Sequence, residues 1–150
     1  MWDYPRPPRL EAIDSSIEVL FSGTVIASTS QAFRVLETSH PPTYYLPPSD
    51  VELAHLSASS RTSWCEFKGQ ARYYDLSIDG RTARAAAWSY DRPTPSFESI
   101  AGYFAFYCHL MDSCRVDGEV VRPQPGNFYG GWITANLVGP FKGGSGTAGW

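Results

Sequence analysis

At 150 residues the chain is one domain by size and long enough to bury a core without metal or disulfide staples. Hydrophobic residues make up 43%, aromatics 15%, and the formal net charge of −3 argues against the basic face of a nucleic-acid protein. No run reaches the roughly 18 apolar residues of a membrane span. There is no polybasic block, and Cys65, Cys108 and Cys114 are too few and scattered for a disulfide framework. The expectation is a cytoplasmic protein with reduced thiols and neither a nucleic-acid nor a membrane partner. Its first residues lack the apolar stretch of a signal peptide.

Residues 1–12, rich in proline and arginine, read as extended. Ile17–Phe21 and Thr24–Ala27 flank Ser22-Gly23, which is a hairpin signature. Ala32–Glu37 alternates as a third strand, with Phe33, Val35 and Glu37 on one face and Arg34 and Leu36 on the other. Thr43–Leu46 is a short extended piece between proline pairs. Ser49 with Glu52 three residues on predicts a short helix over 49–56. Thr62–Phe67 and Ala71–Ile78 are strands around a Lys68-Gly69 turn, and Asp79-Gly80 returns the chain into Arg81–Tyr90. Thr94 before Pro95, then Phe97, Ile100, Ala101, Phe104 and Cys108 at helical spacing, predict the best helix of the chain, or a shorter one running into a strand at Phe104–Tyr107. Asp112–Asp117 reads as a solvated turn and Glu119–Arg122 as a last short strand. Most of the thirteen glycines lie beyond Asp117, among Phe128, Tyr129, Trp132, Phe141 and Trp150. Part of 123–150 should therefore wrap over the domain through these aromatic anchors, with a mobile glycine-rich end. Without β-α alternation, the expected fold is mainly antiparallel β with a helix on one side.

The segment from Arg34 to Pro48 is the most unusual. It sets Arg34, Glu37, His40, Tyr44 and Tyr45 on a backbone stiffened by prolines, which hold it extended. Glu37 and His40 suit proton transfer, and Arg34 or a tyrosine suits anion stabilisation. The bland reading is a proline-rich turn whose polar groups cap strand ends. Arg34 and Glu37 point apart by alternation, so the segment needs residues from later strands to make a site. Cys65, flanked by Glu66 and followed by Lys68, is either a nucleophile or a core thiol. Trp88 and Tyr90 share a strand face and, with Tyr44, Tyr45, Tyr73 and Tyr107, can wall a pocket or fill an aromatic core. Cys108-His109 with Cys114 lacks the paired spacing of a zinc site, and the Lys142 segment lacks the order of a phosphate loop.

Together, Arg34-Val-Leu-Glu37, His40-Pro-Pro-x-Tyr-Tyr-x-Pro47, Thr62-x-x-Cys65-x-x-Lys-Gly69, Ala71-x-Tyr73, Ala87-Trp-Ser-Tyr90, Pro93 and Ala105-Phe-Tyr107 resemble domain-of-unknown-function family 427, also labelled NTP-transferase-like. The resemblance spans residues 13–122, so the expected layout is an extended 1–12, the domain over 13–122 and a C-terminal extension over 123–150. Where the family has Cys-Pro-Tyr-Lys-Gly, this chain has Cys65-Glu66-Phe67-Lys68-Gly69. The resemblance implies antiparallel β-tent-like sheets with one or two short helices, without the paired Cys-x-x-Cys motifs of zinc-bearing β-tents. Tandem copies in relatives imply that a single copy pairs as a homodimer.

The resulting expectation is a cofactor-independent enzyme without a metal, doing isomerase, lyase or hydrolase chemistry on a small, carbonyl-bearing, partly apolar metabolite, with a biosynthetic pathway as its setting. Glu37 or His40 is the base. Arg34, Lys68, Tyr45 or Tyr90 steadies an enolate or oxyanion. Tyr44, Tyr45, Cys65, Trp88 and Tyr107 bind substrate. The alternatives are a non-catalytic module holding a small molecule or a protein, and a nucleotide-linked transferase.

Overall fold

Local turn chemistry starts the fold. Ser22-Gly23, Asp79-Gly80 and Asp117-Gly118 all have positive φ at both residues, the left-handed pair that a two-residue hairpin loop requires and that Asp and Gly tolerate. The computed structural model of the chain describes residues 8–37, 40–65, 67–125 and 129–135. Its strands are β1 (Arg9–Ala12), β2 (Ile17–Phe21), β3 (Thr24–Thr29), β4 (Phe33–Leu36), β5 (Thr43–Tyr45), β6 (Leu56–Cys65), β7 (Gly69–Ile78), β8 (Arg81–Ser89), β9 (Phe104–Phe106), β10 (Ser113–Val116), β11 (Glu119–Val120), β12 (Arg122–Pro123) and β13 (Trp132–Ile133).

The protein is mainly β, and its strands pair antiparallel. One sheet is ordered β11-β10-β2-β3, a second β6-β7-β8-β9 and a third β1-β4-β5, while β12 and β13 pair alone. Leu46 and Phe104 exchange backbone hydrogen bonds of 2.8 and 2.9 Å, which joins the β5 edge of the third sheet to β9.

Alternation along β9 divides two cores. Phe104 and Phe106 enter the larger one, with Ile17, Val19, Tyr44, Leu46, Leu76 and Trp132. Ala105 and the following Tyr107 enter the other, with Val35, Tyr45, Tyr73, Trp88 and Tyr90. Successive side chains of a strand point to opposite faces, so this sheet is covered on both. A bulge adjusts β8: the β7–β8 register shifts between Tyr74 and Leu76, Ala85 adopts φ 50°, and its N–H donates to Asp75 Oδ1 at 2.7 Å. Such an insertion re-aims the residues beyond it, here Trp88 and Tyr90.

Several expectations are corrected. The helix over 49–56 is replaced by two 3-10 turns, Pro48–Asp50 and Leu53–His55. Between them Val51 bridges to Ala27 and Glu52 N–H donates to Ile26 O, so edge pairing with β3 overrides the capping signal. The long helix from Pro95 shrinks to a 3-10 segment, Pro95–Ile100. Gly102, at φ 77°, ends it, and the chain enters β9, the shorter of the two readings. Asp112–Asp117 holds β10, which pairs with β2 in the middle of its sheet. Glu119–Arg122 is split between β11 and β12. Of the N-terminal stretch expected to be extended, Arg9–Ala12 is β1, paired with β4. Among the described residues, no helix is long and apolar enough to cross a membrane. The expected mobile end, and the anchors Phe128, Phe141 and Trp150, lie outside the described residues.

Candidate functional site

The second core is not filled completely. Between Tyr45, Tyr73, Trp88, Tyr90 and Tyr107 lies a cavity of about 140 Å³, with Glu37, His40, Cys65 and Lys68 also lining it. Its aromatic wall is one contact network. Trp88 packs on Tyr107 with ring centroids 4.6 Å apart, and Tyr73 stacks on Tyr107 at 6.5 Å. Trp88 Nε1–H donates to Tyr45 Oη at 3.3 Å, and the hydroxyls of Ser63 and Tyr73 share a hydrogen bond of 3.0 Å.

Lys68 reaches the cavity from the turn between β6 and β7. Its N–H donates to Cys65 O, its carbonyl accepts from Thr94 N–H at 3.0 Å, and Thr94 Oγ1–H donates to Phe67 O at 2.5 Å. Gly69, at φ 107°, lies against Arg92 O, where a Cβ would sit 3.4 Å away. The Arg92–Thr94 loop thus clamps the turn and points Lys68 inward, where it is only 9% exposed. Thr94 precedes the 3-10 segment with Pro95 opening it, but its hydroxyl serves Phe67 rather than capping.

Glu37 follows β4 and stands between Lys68 and His40. Its Oε1 is 3.8 Å from Lys68 Nζ and its Oε2 is 3.8 Å from His40 Nε2. Both distances are longer than a hydrogen bond. Burial acts against the charge on Lys68, but the surrounding Tyr45, Cys65 and Glu37 outweigh it and hold the ammonium above the ordinary lysine value. Burial likewise pushes the phenols of Tyr45, Tyr90 and Tyr107 up. Near neutral pH the cavity therefore presents an ammonium and protonated phenols as donors beside one carboxyl group.

The C-terminal extension closes one side. Trp132 is 1% exposed, donates its indole N–H to Phe106 O at 3.1 Å, and donates its backbone N–H to Pro42 O. This anchor brings Gln124, Tyr129 and Gly130 to the cavity. Gln124 Nε2 is 3.0 Å from His40 Nδ1, and the Tyr129 ring stands edge-on to His40 at 4.9 Å. Gly130 presses on Trp88 so closely that a Cβ would lie 2.1 Å from the indole.

Of the residues picked from sequence, Glu37, His40, Lys68, Tyr90, Tyr45, Cys65, Trp88 and Tyr107 meet at this cavity. Arg34 and Tyr44 do not. Arg34 sits directly opposite Glu11 in the β1–β4 register, and its Nε–H donates to Glu11 Oε1 at 2.8 Å. Tyr44 points into the larger core and packs on Trp132 at 5.1 Å. Both are corrections with one cause: strand alternation puts them on the face away from Val35 and Tyr45. Thr43, Ser63, Gln124, Tyr129 and Gly130 line the cavity without having been foreseen. Among the described residues, no group of three or more His, Cys, Asp or Glu side chains is placed to hold a metal ion.

A mainly β, antiparallel domain with a small cavity of acid–base side chains defines the class. The chain belongs to the family described as Domain of unknown function (DUF427), under the label NTP_transf_9, whose model matches residues 9–117. The match takes in β1 and ends before Gln124, Tyr129 and Gly130. No curated protein matches the chain.

Proposed function

We propose that the cavity is the active site of an acid–base enzyme acting on a small, carbonyl-bearing, partly apolar metabolite. The observation that carries this reading is the convergence of Glu37, His40, Lys68 and buried tyrosines, from separate parts of the chain, on one cavity. A volume of about 140 Å³ approaches that of a cavity that takes up benzene, which supports a small metabolite over a nucleotide. The aromatic wall suits the apolar part, and the donors suit a carbonyl oxygen.

In the proposed reaction Glu37 or His40 takes a proton from the carbon beside the carbonyl. The C–H electron pair moves into the new C=C bond, and the carbonyl π pair moves onto oxygen as an enolate. Lys68 and a phenol of Tyr45 or Tyr90 face that negative oxygen. The enolate then takes the proton back at another carbon, which is isomerisation, or expels a β-substituent with its bonding pair, which is elimination. Directed at water, the same base gives hydrolysis of an activated carbonyl.

The test needs no prior substrate. A panel of small ketones, keto acids and enones is incubated with the protein in deuterated water, and α-proton exchange is followed by NMR. Exchange of at least one member by the wild type is expected. Glu37→Gln should slow it by about 10²-fold or more, with an unchanged circular dichroism spectrum. Saturable binding with no exchange of any member would instead mark a non-catalytic binding module.

A further inference from the structure

The buried pair of His40 and Gln124 separates the two proton carriers. Both side chains are buried, at 8% and 3% exposure. Gly131 N–H donates to Gln124 Oε1 at 3.0 Å, and Gln124 N–H donates to Gly131 O at 2.9 Å. The first bond makes Oε1 the acceptor, so the other terminal atom is the NH2 group. That NH2 lies 3.0 Å from His40 Nδ1. An NH2 only donates, so Nδ1 must present its lone pair, and a neutral imidazole then carries its proton on Nε2. Turning the amide over would set two donors, NH2 and Gly131 N–H, against each other. Gly131 itself is required for the approach, because a Cβ there would lie 2.6 Å from Gln124 Oε1 and from Pro41.

We propose that Gln124 is a positioning residue that holds His40 as the neutral Nε2–H tautomer, so that His40 serves the cavity as a hydrogen-bond donor and Glu37 is the base. The assignment of the base rests on the acid–base reading above; the tautomer does not. A neutral imidazole donates a hydrogen bond to an oxyanion without being consumed as an acid.

Among the described residues, Glu37 and Tyr129 also stand beside His40. Glu37, at the end of β4, favours an imidazolium, with Oε2 3.8 Å from Nε2. Its other oxygen faces the Lys68 ammonium from the β6–β7 turn, which offsets that pull. Tyr129 contributes an uncharged ring edge. A proton on Nδ1 would press an N–H against the NH2 of Gln124 inside the protein and remove a buried hydrogen bond. The amide therefore decides the tautomer.

The experiment is a long-range proton–nitrogen correlation spectrum of the full chain with labelled histidine, recorded from pH 5 to 8. His55 and His109, less buried, serve as references. His40 should show the Nε2–H pattern and remain neutral at about pH 5.5, one unit below the ordinary histidine value. Gln124→Glu would accept from both Gly131 N–H and an Nδ1–H, so the His40 midpoint should rise by at least one unit, a tenfold change in proton affinity. A merely structural role for Gln124 would leave that midpoint where it was. An Nδ1–H tautomer, or an imidazolium at pH 6 in the wild type, overturns the proposal, and the wild-type spectrum decides even if the variant fails to fold. Loss of exchange activity in Glu37→Gln with the His40 pattern unchanged supports Glu37 as base. Full activity in that variant removes the base while leaving the tautomer standing.

Discussion

Ser89 lies between Trp88 and Tyr90, 1% exposed, and among the described residues its Oγ has no hydrogen-bond partner. A buried hydroxyl without a partner costs about 1–3 kcal/mol of desolvation. Ser89→Ala should therefore raise stability by about 1 kcal/mol, read as a higher urea midpoint at unchanged slope. A lower midpoint would mean that the hydroxyl is satisfied. Arg34 has the opposite situation, since its guanidinium is matched across the β1–β4 register by Glu11. The sequence already separated Arg34 from Glu37, because alternation is a property of the strand alone. The same rule separates Tyr44 from Tyr45, which lie on opposite faces of β5. Gln124 carried no readable signal: its partner His40 is 84 residues away, and one glutamine between prolines has no period or spacing to betray it.

At the scale of elements, what was legible was local. The hairpins at Ser22-Gly23 and Asp79-Gly80 follow from turn residues whose conformations do not depend on the rest of the chain. Asp117-Gly118 bears the same signature, although the sequence around it reads as a solvated turn. What was not legible depends on distant partners. β10 exists because β2 and β11 flank it, and the helical period after Pro95 yields to Gly102 and to the bonds between Phe104 and Leu46. Of the aromatic anchors through which part of 123–150 should wrap over the domain, Trp132 is one. The function of that element rests on Gly130, which lets the backbone lie on Trp88. Gly130→Ala would place a methyl inside the indole, so the segment must lift or Trp88 must turn. The expected loss is about 1–3 kcal/mol, with at least a tenfold loss of α-proton exchange. Wild-type stability and exchange together would show that the extension does not bear on the cavity.

For the whole molecule, the core around the cavity ties stability to pH. It buries phenols and the Lys68 ammonium. Burial first of all raises Tyr45, Tyr90 and Tyr107 above the usual tyrosine value of 10.0. Above that pH the unfolded chain releases these protons while the folded chain keeps them. The unfolded state then binds fewer protons, and stability must fall as pH rises. Lys68 acts in the same direction: its folded value is raised, so its contribution is complete below the unfolded lysine value and is lost as pH climbs towards the folded one. Urea denaturation should thus give a stability that does not depend on these groups up to about pH 9. Beyond about pH 10 stability should fall, with Tyr90 removing about 1.4 kcal/mol per pH unit. Tyr90→Phe has no proton to lose at that position, so its curve should decline less steeply by that one share. Parallel curves for wild type and variant between pH 10 and 11.5 would mean that the Tyr90 hydroxyl ionises as freely in the folded protein as in the unfolded chain, and that the cavity is open to water at its base.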